Sequence, residues 1–69
     1  MSKYGIGALR KIVGRDCLVF FVGLDRKTVY DATGCAVALL HHWLTLAHRQ
    51  DGVQIDLPGE HILHIEEII

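Results

Sequence analysis

Five histidines in a chain of 69 residues are the side chains best equipped for chemistry. His41, His48 and the pair His61 and His64 carry imidazoles of the kind that bind divalent metals, with Glu60 or Glu66 as a carboxylate partner. The spacing argues against such a site, because no cysteine stands at ligand distance and no His-Glu-x-x-His motif occurs. Solvated or interface histidines are the expectation, with no metal and no cofactor. Catalysis is not expected either. Cys17 lies inside an apolar run, where a thiol is held protonated and unreactive. Cys35 is near histidines in sequence alone, and Thr33-Gly34 lacks the other glycines and the lysine of a phosphate-cradling loop. Glu66 and Glu67 are adjacent, so on a strand their carboxylates diverge. The chain reads as a non-enzyme.

Phosphate binding has more support. Residues 1 to 30 hold six cations against two anions, a net +4, whereas residues 31 to 69 hold one cation against six anions, a net −5. Arg10, Lys11 and Arg15 cluster in the basic half. Repeated around an assembly, they form a surface able to meet phosphates without reading sequence. His41, His42 and Trp43 offer a stacking surface if a bend exposes them.

These residues need elements to position them. Ile6, Leu9, Ile12 and Val13 recur at helical spacing with Arg10 and Lys11 on the other side, Ser2 suits an N-cap and Gly14 a left-handed terminator, so a short helix is expected over about residues 4 to 13. Cys17 to Val22 reads Cys-Leu-Val-Phe-Phe-Val, a strand with no side that prefers water. Asp25, Arg26 and Lys27 make a polar turn, and Thr28 to Tyr30 return. Residues 35 to 49 satisfy two patterns. His41, His42, Thr45, His48 and Arg49 share a helical face, yet the same stretch divides into a strand from Cys35 to Ala38, a bend at His41 and His42, and a strand from Leu44 to Ala47. Local pattern favours the helix. Val53, Ile55 and Leu57 alternate with polar residues, and Pro58-Gly59 turns the chain into an apolar segment from His61 to Ile69.

With both ends in view, the chain resembles the Sm and Sm-like family. Leu9-Arg10-Lys11-Ile12-Val13-Gly14-Arg15 running into Cys17 to Phe21 looks like the end of that family's helix entering its first strand, and Leu57-Pro58-Gly59 running into Ile62 to Ile68 looks like its turn into the last strand. The resemblance implies an N-terminal helix, five strands closed into a small barrel, and a ring of subunits that binds RNA. The family's aspartate and asparagine at the bend after the second strand are replaced by Leu39 to Thr45, and its arginine before the last glycine is Pro58. The usual base pocket therefore does not carry over.

The expected architecture is mainly β, a single domain over residues 1 to 69 with the helix and barrel just described. The alternative is an α+β fold with a helix over residues 35 to 49 packed on a four-stranded sheet. A chain this short buries only about 60% of its unfolded surface, so contacts between copies are the expected supplement, through Leu18, Phe20 and Val22 of the first strand and Ile62 and Ile65 of the last. The apolar run from Cys17 to Leu24 is too short to span a membrane, no leader pattern opens the sequence, and two isolated cysteines suit a reducing compartment. A cytoplasmic homo-oligomer that binds RNA is expected, with a self-assembling protein-interaction module as the competing function.

Overall fold

A computed structural model describes residues 6–68 of the chain. It holds one short helix, α1 (Ile6–Ile12), and five strands: β1 (Asp16–Val22), β2 (Val29–Leu40), β3 (Trp43–His48), β4 (Gln54–Pro58) and β5 (Ile62–Glu67), with a single 3-10 turn at Gly59–His61 before the last. All neighbours are antiparallel, in the order β4-β3-β2-β1-β5. The helix stops where Gly14 takes φ 90°, and the expected cap Ser2 lies outside the described residues.

β2 explains how so few residues make a curved sheet. Its first half, Val29 to Cys35, pairs with β1, and its second half, Gly34 to Leu40, pairs with β3. At the crossover Gly34 lies against the Ala47 carbonyl so closely that a Cβ would sit 2.1 Å from the oxygen. Only glycine fits there. A register shift between Ala36 and Ala38 adds to the bend, and a second one occurs between Phe20 and Phe21 of β1. Cys17, Val19, Ala36, Leu44 and Leu46 then line one concave side, which Leu9 of α1 covers; all are buried.

The alternative helix over residues 35 to 49 is overturned. Leu39 pairs with Leu44 and Leu40 with Trp43, so His41 and His42 form a two-residue hairpin turn. Leu44 and Leu46 are fully buried between partners Leu57 and Ile55 on one side and Leu39 and Ala36 on the other. As strands, these leucines reach the common core at period 2, and that long-range burial outweighs the local helical pattern.

The barrel is corrected in one respect: the sheet is not closed. β4 and β5 are its two terminal strands, each with one strand neighbour among the described residues. The outward row of β1, Leu18, Phe20 and Val22, is half-buried within the chain. Two of the residues expected at a subunit interface are placed inward. Ile62 is 2% exposed and belongs to the core, and Ile65 packs against it. No helix among the described residues is long and apolar enough to cross a membrane.

Candidate nucleic-acid interface

The basic cluster begins on the helix. Leu9 anchors α1 in the core, which turns Arg10 and Lys11, next in sequence, outward at its C-terminal turn. Both are exposed, and neither has an ion-pair partner among the described residues. Arg15 differs. Its guanidinium donates to Glu67 Oε1 at 2.5 Å, tying the start of β1 to the end of β5. One of the three cations of the cluster is therefore answered internally, although an exposed pair of this kind contributes little to stability and an arriving phosphate can compete for it. Lys11, Arg15 and Glu67 border a notch of about 470 Å³ floored by Ala8, Ile12 and Ile65.

The second part is the β2–β3 turn. His41 and His42 have φ of 50° and 67°, the sign pattern of a type I′ hairpin turn, which asparagine and glycine normally occupy. Two histidines in the left-handed region cost about 1–2 kcal/mol each, and such strain is concentrated at functional sites. They are flanked by Leu40 and Trp43, which are 68% and 49% exposed. The tip is braced from below. The Gly59 amide donates to the His42 carbonyl at 2.7 Å, and a Cβ on Gly59 would meet both that oxygen at 3.1 Å and Leu9 Cδ1 at 3.2 Å. Gly59 is thus the junction where the helix, the β4–β5 corner and the histidine turn meet. Trp43 also pairs across to Pro58, so the β4–β5 corner supports the tryptophan.

The remaining histidines are separate. His64 Nε2 lies 3.1 Å from Glu66 Oε1. His48 Nδ1 is buried without a hydrogen-bond partner among the described residues, 3.4 Å from Asp51 Oδ1. No three potential ligands converge closely enough to hold a metal ion among the described residues. Both cysteines are free: Cys17 is buried and its thiol is pushed above the ordinary range by that burial first and by Cys35 and two nearby carboxylates after it, while Cys35 is half-buried.

Sequence reasoning missed how tightly the β1–β2 turn is built. Asp25 accepts the amides of Lys27 and Thr28 at 3.0 Å and the Thr28 hydroxyl at 2.5 Å. Those bonds, the hydroxyl's first, lower its carboxyl to about 2. The signal was present as Asp followed three residues later by Thr. The turn holds up Leu24, which is 97% exposed, beside Arg26 and Lys27. No protein family, no curated protein and no solved structure matches the chain.

Proposed function

We propose that this chain is a non-catalytic, self-assembling Sm-like protein that binds RNA through a basic surface repeated from subunit to subunit. The observation that carries the reading is the open sheet. In a curved five-stranded sheet ending in β4 on one side and β5 on the other, each terminal strand has a strand neighbour on one side only among the described residues. Pairing β4 of one copy with β5 of the next continues the sheet head to tail, and such contacts close into a ring when the rotation allows. Each subunit then contributes Arg10 and Lys11, with no internal partner among the described residues, and a tip carrying His41, His42 and Trp43. Weak phosphate contacts repeated in this way gain affinity through multivalency.

Solution mass by light scattering tests assembly: a ring-sized mass supports the reading, and a monomer at high concentration overturns it. Fluorescence anisotropy with single-stranded RNA at two salt concentrations tests binding, because phosphate contacts weaken steeply with salt. A second reading, a protein-interaction module that assembles without RNA, draws on Leu24, Leu40 and Trp43, three large apolar side chains exposed at turns. Assembly with no RNA affinity at low salt selects it.

A further inference from the structure

The outer face of β2 carries a recessed surface that shares no residue with the helix notch or the histidine turn. Asp31 and Thr33 are two apart on β2, and the end of β3 with the turn after it lays His48, Arg49 and Gln50 beside them. The turn is pinned by the Arg49 amide, which donates to the Thr33 carbonyl at 2.9 Å. Together they line a cleft of about 330 Å³. Arg49 is the one cation in residues 31 to 69, yet neither it nor Asp31, across the same cleft, has an ion-pair partner among the described residues. With His48 Nδ1 buried next to Asp51, Nε2 is the nitrogen left to meet a ligand.

A second hollow of about 300 Å³ adjoins the first and shares Asp31 with it. Phe20, Val29 and Tyr30 line it, and Phe20 is the direct cross-strand partner of Asp31. One continuous surface thus runs from a guanidinium, through a carboxylate, to an aromatic shelf. From these juxtaposed groups we infer that the outer face of β2 binds a ribonucleotide, its phosphate on Arg49, its ribose on Asp31 and its base on Phe20. A guanidinium and the Gln50 amide supply donors to phosphate oxygens. The Asp31 carboxylate can only accept, so it accepts a hydrogen bond from the 2′-hydroxyl and repels the phosphate, which fixes the direction in which the ligand lies. The flat face of Phe20 receives a base of any identity. The same chemistry is offered by a free mononucleotide and by one residue of an RNA strand.

The test is amide NMR of the intact protein titrated with adenosine 5′-monophosphate, its 2′-deoxy counterpart and a short single-stranded RNA. Shifts at Asp31, Thr33, Arg49 and Gln50 are expected, with the ribonucleotide bound about tenfold more tightly than the deoxynucleotide, the worth of one charge-assisted hydrogen bond. Asp31→Ala removes the ribose preference, and Arg49→Gln weakens both mononucleotides about tenfold. Shifts at these residues with the strand but not the mononucleotide assign the site to RNA, and the reverse assigns it to free nucleotide. No shift there with any of the three overturns the inference, as does a ribose preference that survives Asp31→Ala. Arg10→Glu with Lys11→Glu leaves mononucleotide binding unchanged while weakening the strand, so the helix surface and this cleft stand or fall separately.

Discussion

Replacing Gly34 with alanine asks for space that the crossover of β2 and β3 does not have. The added carbon would lie 2.1 Å from the Ala47 carbonyl oxygen, 2.9 Å from its carbon and 3.1 Å from the His48 Cα. All three atoms are backbone, so no rotamer change relieves the clash. Ordinary contact begins near 3.4 Å, and the strands must separate by about 1.3 Å at this point (3.4 minus 2.1). Separation weakens the ladder around Gly34↔His48 and Cys35↔Ala47. Overpacking of this kind costs roughly 1–3 kcal/mol and each net hydrogen bond lost about 1 kcal/mol, so the expected destabilisation is about 3–5 kcal/mol. A domain of 69 residues is stable by about 3.5–10 kcal/mol, and the substitution removes much or all of that. Urea unfolding followed by Trp43 fluorescence, at fixed protein concentration, measures the loss; with a slope near 1 kcal/mol per molar, the midpoint falls by about 3 M or folding fails. The control is Gly7→Ala, where a Cβ meets nothing within 4 Å and the helix gains about 0.5–1 kcal/mol. A loss under about 1 kcal/mol for Gly34→Ala refutes the account of how the sheet bends.

The histidine turn carries the opposite expectation. His41→Asn with His42→Gly relieves two left-handed residues and raises stability by about 2–4 kcal/mol, the sum of both, which raises Tm by many degrees, while RNA affinity falls; unchanged Tm removes the strain assignment. Asp25 sets an acid dependence. Its carboxyl is lowered to about 2 in the fold against an ordinary value near 4, so its support for the β1–β2 turn is complete above about pH 4 and is lost as pH falls toward 2. The protection of the Lys27 and Thr28 amides, relative to the intrinsic exchange rate at each pH, should fall over that window, and Asp25→Ala should remove it at every pH. For the cysteines, a thiol reagent should label Cys35 in the native protein and reach Cys17 only on unfolding; equal native rates contradict the burial of Cys17.

Local chemistry wrote two features of the N-terminal half plainly. Gly14 stops α1 because it alone there takes a positive φ, and the Asp25 turn follows from a carboxylate two and three residues before the amides it accepts. The middle was illegible locally, since Leu39, Leu44 and Leu46 satisfy a helical and a strand period alike and the choice falls to distant partners such as Ile55 and Leu57. Closure was illegible for a different reason. Whether β4 meets β5 depends on the accumulated bend at Gly34 and at two register shifts, not on any residue type in those strands. Ile62, expected at a subunit interface, pairs with Phe21 after the register shift between Phe20 and Phe21 and lies in the core of the single chain.

That dependence on bending links stability to the proposed surfaces. Gly34 sets the angle between the two halves of β2, and the cleft at Asp31 and Arg49 lies on one half while the histidine tip ends the other. The same crossover fixes how far apart the β4 and β5 edges stand, because each hangs from a different half of β2 through one intervening strand. A sheet flattened at Gly34 would move the edges out of register for head-to-tail pairing as well as exposing the leucines of β3. Variants at this position should therefore lose assembly and core protection together, whereas changes at Arg10, Lys11 or Arg49 should leave both intact.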